Sequence, residues 1–126
     1  MFLRSLLYIA PGDFHTTLGK SGYETILSND QGPKRNSVRP AVDSLFESAA
    51  AVFKNQVLAV VLTGMGEDGA LGCCAIKEAG GGVLIQDQES CVVWGMPGAV
   101  HERGAFDKVA PLNECAQFLA NLISRK

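Results

Sequence analysis

The segment VVLTGMGEDGALG, residues 60–72, decides how the rest of the chain is read. It begins inside an apolar, β-branched-rich run, Val57 to Leu62, of the kind that forms a strand buried on both faces. It then breaks into three glycines, Gly64, Gly66 and Gly69, and resumes as a helical stretch from Gly69 to Ala79. Gly80-Gly81-Gly82 closes that helix, and Val83 to Ile85 is the next buried strand. Strand, glycine loop, helix, strand is a crossover unit, which joins parallel strands with a right-handed connection. Two acids, Glu67 and Asp68, stand where the helix opens, and their purpose is the first question the sequence poses.

On the N-terminal side, Leu6 to Ala10 reads as a buried strand stopped by Pro11-Gly12. Phe14 to Leu18 and Tyr23 to Leu27 flank Gly19-Lys20-Ser21-Gly22, which is a hairpin pattern. Asn29 to Pro40 is polar and rich in turn formers, hence a loop. Ala41 to Phe53 is helical, since Val42, Leu45, Phe46 and Ala49 recur at three- and four-residue steps, and Pro40 suits the first helical position. On the C-terminal side, Met96 to Glu102 reads as a short helix with Pro97 near its start, and Phe106 to Val109 as a last strand. Leu112 to Ile123 is an amphipathic helix with Leu112, Cys115, Leu119 and Leu122 on one stripe. The expected fold is α/β, a three-layer, doubly wound, mostly parallel sheet with a decorating β-hairpin.

A chain of 126 residues suggests one domain, and 47% hydrophobic residues supply a core. The formal charge of −2 argues against a nucleic-acid binder, which needs a basic stripe. The apolar start, MFLRSLLYIAPG, falls short of the roughly 20 residues that span a bilayer, so no membrane insertion is expected. Cys73, Cys74, Cys91 and Cys115 form no C-x-x-C pair, so zinc is not expected. They read as reduced thiols of a cytoplasmic protein.

Three roles compete for the glycine loop. Gly64, Gly66 and Gly69 fit G-x-G-x-x-G, and Asp87 follows where a ribose-binding acid belongs in a dinucleotide site. Glu67 and Asp68 oppose that role. Like charges 4 Å apart repel by about 4 kcal/mol at an effective dielectric near 20, while a helix end offers only about half a unit of positive charge. A phosphate-binding Walker loop fails too, because Ala70-Leu71 replace its Lys-Ser/Thr. The second role is structural: Asp68 caps the helix that follows it. The third is catalytic: a carboxylate at the carboxyl end of a parallel strand orients a histidine, as in a Ser-His-Asp triad.

Five stretches carry a family resemblance: YIAPGDFH (8–15), RPAVDSLF (39–46), LTGMGEDGALG (62–72), QDQESCVVWGMP (86–97) and GAFDKVAPL (104–112). On these the chain resembles the C-terminal part of the catalytic domain of chemotaxis protein-glutamate methylesterases. The resemblance implies a serine hydrolase that cleaves glutamate methyl esters on methyl-accepting chemoreceptors and, in some members, deamidates receptor glutamines. It implies no metal or organic cofactor. It assigns Asp68 as the triad acid and Met65 as a backbone N–H donor to the oxyanion, with Gly64, Gly66 and Gly69 shaping the active-site loop.

The family's nucleophilic serine and its histidine lie in stretches that precede the Tyr-Ile-Ala-Pro strand, and these 126 residues contain neither. None of the eight serines sits in a nucleophile elbow. Ser90 belongs to the Q-D-x-x-S motif as a turn or site-lining residue, and His15 and His101 read as surface or loop residues. Residues 1–126 are therefore expected to be a partial catalytic domain, truncated at the N-terminus and without a receiver domain. Such a chain is expected to be inactive alone, and it reads as a truncated product, a fragment, or half of a split enzyme completed by a separately encoded N-terminal half. Otherwise it is a catalytically dead module that binds a receptor or partner. An exposed sheet surface predicts a homo-oligomer. Three positions depart from the family pattern: Val38, where a polar residue is expected, Ala41, where serine is frequent, and Gly98, where a basic residue is common.

Overall fold

A computed structural model describes residues 6–124. The chain enters through an antiparallel hairpin, β1 (His15–Ser21) and β2 (Glu24–Asp30). The helix α1 (Val42–Phe53) follows and runs through a single 3-10 turn into the sheet. That sheet is parallel, with β3 (Leu58–Val61), β4 (Gly82–Gln86) and β5 (Lys108–Ala110) side by side in chain order. The crossovers are α2 (Ala70–Glu78) and α3 (Gly95–Glu102), and α4 (Leu112–Ser124) follows the last strand.

Strand residues alternate between two cores, as a period of two requires. Ala59, Val61, Val83 and Ile85 pack with Cys73 and Ile76 of α2 and Val100 of α3. Val60, Leu84 and Ala110 face the other way, against Cys115 and Phe118 of α4. Helices therefore cover both faces of the sheet, and the hairpin packs on α1 outside it. The expected α/β architecture is observed.

Several local expectations need correction. Leu6 to Ala10 is not a strand: it has no ladder partner among the described residues, and Leu7 and Ile9 are 88% and 84% exposed. Apolar composition makes a strand only where another strand offers its hydrogen bonds. The hairpin turn is Gly22-Tyr23 rather than the whole of residues 19–22, because Ser21 pairs directly with Glu24. Pro40 precedes the cap residue Ala41 and is not the first helical residue. The last strand begins two residues later than expected, because Phe106 stacks on His101 and the Asp107 carboxylate turns back to accept the Val83 N–H. The buried stripe of α4 is Cys115 with Phe118, whereas Leu112 and Leu122 are exposed. His15 is buried, not a surface residue: its Nε2 donates to the Pro33 carbonyl (2.8 Å) and its Nδ1 accepts the Ala41 N–H (3.2 Å). These bonds join the hairpin to the loop that leads into α1.

Candidate active site

The glycine loop lies at the carboxyl end of β3, where open α/β sheets place their sites. Its far side is held by the polar residues that end β4. Gln86 is almost wholly buried and accepts the Thr63 N–H through Oε1 (2.8 Å), while its Nε2 donates to the Ser90 carbonyl (2.9 Å). The Ser90 hydroxyl donates to Asp87 (2.6 Å) and accepts the Leu112 N–H at the start of α4 (3.1 Å). The Q-D-x-x-S motif is thus a turn that pins three elements around the loop. The N-terminus of α3 closes the near side: Gly64 N–H donates to Val93 (3.2 Å) and Met96 N–H to Gly64 (2.9 Å).

Gly66 and Gly69 adopt φ of +95° and +103°, a left-handed conformation that glycine enters without a Cβ penalty. Gly64 lies against Met96, whose Sδ would stand 2.6 Å from a Cβ at that position. Met65 and Glu67 project into solvent, and Asp68 turns inward to 7% exposure. No hydrogen bond among the described residues uses the Met65 N–H.

Asp68 does not cap the helix that follows it. The left-handed turn at Gly69 sends its side chain away from α2 and onto α1, where Oδ2 accepts the Val42 N–H (2.6 Å) and Oδ1 the Asp43 N–H (3.1 Å). Ala41, the cap residue of α1, has no side-chain acceptor, and Asp68, 26 residues beyond Val42, supplies one. The favour is returned. Asp43, in the first turn of α1 and 1% exposed, accepts the Gly69 N–H (3.0 Å) and the Gly72 N–H (2.7 Å) at the start of α2. The start of α1 is capped from the loop that leads into α2, and the start of α2 from the first turn of α1.

Asn36 stands between the two acids. Its Nδ2 donates to Asp43 Oδ2 (2.9 Å) and to Asp68 Oδ1 (2.8 Å). It is held there by a tight turn in which Arg35 and Val38 exchange backbone hydrogen bonds while Asn36 and Ser37 take φ of +53° and +65°. Two positive φ values are the mark of a type I′ turn. Next to it Arg35 grips Glu47 with both guanidinium nitrogens (2.6 and 2.9 Å). That hydrogen-bonded pair raises the Arg35 pKa, and the charges of Asp43 and Asp68 add to the effect.

This geometry excludes the dinucleotide site. The first N–H groups of α2, which a pyrophosphate would need, already bind the Asp43 carboxylate. An open cavity of about 240 Å³ does border Gly66 and Glu67, but Trp94, His101 and Glu102 line its far wall and Asp68 does not reach it. The missing basic residue at Gly98 has a steric reason: a Cβ there would meet the Trp94 ring at 2.8 Å.

A family model described as CheB methylesterase matches residues 3–119. The chain belongs to the CheB methylesterase family. It is 51% identical over 110 residues, 87% of the chain, to a protein of Trichodesmium erythraeum named protein-glutamate methylesterase/protein-glutamine glutaminase. It is 48% identical over 120 residues, 95% of the chain, to a Rhodospirillum rubrum protein of the same designation, number 1. The crystal structure of the Thermotoga maritima CheB methylesterase catalytic domain superposes with a TM-score of 0.88 at 44% identity, over 91% of this chain. The chain spans 31% of the length of those two relatives and 61% of the solved domain. No helix among the described residues is long and apolar enough to cross a membrane.

The sequence singled out Asp68, Met65 and the three glycines, and the fold gathers them in one loop. It did not single out Asn36, Asp43 or Gln86. Gln86 left a readable trace, a polar residue closing an apolar strand. The partnership of Asn36 with Asp68 spans 32 residues and leaves no spacing signature.

Proposed function

We propose that this chain supplies the triad acid and the oxyanion loop of a protein-glutamate methylesterase centre. The serine and histidine come from sequence outside these 126 residues. The observation that carries this is the state of Asp68. It is buried at the carboxyl end of a parallel strand, and three of its four acceptor positions are taken by Asn36, Val42 and Asp43. One acceptor position on Oδ2 remains for an imidazole N–H. A carboxylate fixed in this way orients the histidine and stabilises its protonated form, while the serine attacks the ester carbonyl. The Met65 N–H, which has no partner among the described residues, is available to donate to the charge that develops on the carbonyl oxygen. Hydrolysis releases methanol from glutamyl methyl esters of a methyl-accepting chemoreceptor. The names of the relatives support glutamine deamidation at the same centre, and a cytoplasmic setting goes with that substrate.

The test is methanol release from methylated chemoreceptor membranes. The chain alone is expected to release none, and the chain mixed with the N-terminal part of a family catalytic domain is expected to release methanol. Failure of the mixture, with receptor binding retained, favours a catalytically dead binding module instead.

A further inference from the structure

We infer that Asn36 is a positioning residue for Asp68, acting together with Asp43 to fix the direction in which the Asp68 carboxylate presents its remaining acceptor. This rests on the assignment of Asp68 as the triad acid. Two buried carboxylates that approach each other repel, and each would otherwise rotate away or draw in water. One amide nitrogen donates to both, at 2.9 and 2.8 Å, so the same group that relieves the repulsion also sets both rotamers. Asp43 is immobilised from its other oxygen by the Gly69 and Gly72 N–H groups. It therefore acts as the anchor, and Asn36 as the arm that transmits its position to Asp68. The left-handed Asn36-Ser37 turn lies at the surface and brings this amide against the two acids.

The variant that isolates the amide is Asn36→Gly, because glycine keeps the left-handed backbone and removes only the side chain. Two readouts are needed. In the chain alone, nuclear magnetic resonance follows the Val42 and Asp43 backbone N–H groups that Asp68 holds. In Asn36→Gly these resonances are expected to move and their hydrogen exchange to quicken, while Gly72, held by Asp43, changes less. In the mixture with the family's N-terminal part, kcat for methanol release is expected to fall about 10- to 100-fold with KM unchanged, as small misplacement of a catalytic group costs. Unmoved Val42 and Asp43 resonances overturn the inference, and so does an unchanged kcat. A wild-type mixture without activity strikes the methylesterase assignment instead, and the resonances then decide whether Asn36 positions Asp68.

Discussion

Asp43 carries more of the fold than its place in the sequence suggests. It has 1% exposure and two backbone donors depend on it. Replacement by alanine orphans the Gly69 and Gly72 N–H groups in a buried site and is expected to cost about 2–4 kcal/mol, read as a lowered urea midpoint. Asp43→Asn, which keeps an acceptor, should cost less. Cys73 illustrates the opposite case of a reactive residue type kept inert. Burial, with the charge of Asp43 second, pushes its thiol up to about 12. At pH 8 an alkylating reagent should therefore label the half-buried Cys74 and Cys91 and spare Cys73 until the protein unfolds. Rapid labelling of Cys73 under native conditions would show that the α2 packing opens readily. At this scale the sequence shows that Asp68 is special, because acids in a glycine loop are chemically conspicuous. It does not show which helix Asp68 caps, because the φ of Gly69 decides that.

Among the elements, α1 and α2 approach closely and meet through Gly72. A Cβ there would lie 2.6 Å from Phe46 Cβ and 3.2 Å from the Asp43 backbone. Gly72→Ala is expected to destabilise by about 1–3 kcal/mol through overpacking, despite the higher helix propensity of alanine. A stabilised Gly72→Ala variant in urea denaturation would contradict that contact. Ion pairs tie other elements together: Arg35 to Glu47 joins the tight turn to α1, and Lys77 to Asp107 joins α2 to the lead into β5. The Arg35 hydrogen bond holds the Glu47 carboxyl below its usual 4.5. The Lys77 hydrogen bond, followed by the Val83 N–H, holds Asp107 below 3.8. Both acids have depressed values in the folded state. Their stabilisation is therefore full above about pH 4.5 and is lost as pH falls through the folded values. Both side chains are two-fifths or more exposed, so each pair contributes less than about 1 kcal/mol. Melting temperature should be nearly flat from pH 5 to 7 as far as these pairs are concerned, then fall in acid, less so at high salt. The helices and the parallel strands were legible from periodicity and β-branched runs. The strand expected over Leu6 to Ala10 is absent, because a strand also needs a partner, and composition does not report one.

For the whole molecule, the exposed run Leu6 to Ile9 is the main departure from a well-covered surface. Leu6, Leu7, Tyr8 and Ile9 are each more than half exposed in sequence succession. Such a contiguous exposed apolar run favours association. We expect the 126-residue chain to self-associate in sedimentation equilibrium, and Leu7→Lys with Ile9→Lys to shift it toward monomer. A wild-type monomer at micromolar concentration would contradict the expectation. The architecture and the family were readable because the specific stretches are contiguous in sequence. The centre of the site was readable only in part, since the Asn36, Asp43 and Asp68 cluster is assembled from the turn before α1, the first turn of α1 and the loop after β3. The most direct test of the central claim compares wild type with Asp68→Ala in methanol release from methylated receptor membranes, each mixed with the family's N-terminal part and each checked by circular dichroism for its fold. If Asp68 is the triad acid, wild type is active and the folded variant loses about 10³- to 10⁴-fold in kcat. A folded Asp68→Ala variant that retains wild-type turnover would contradict the claim.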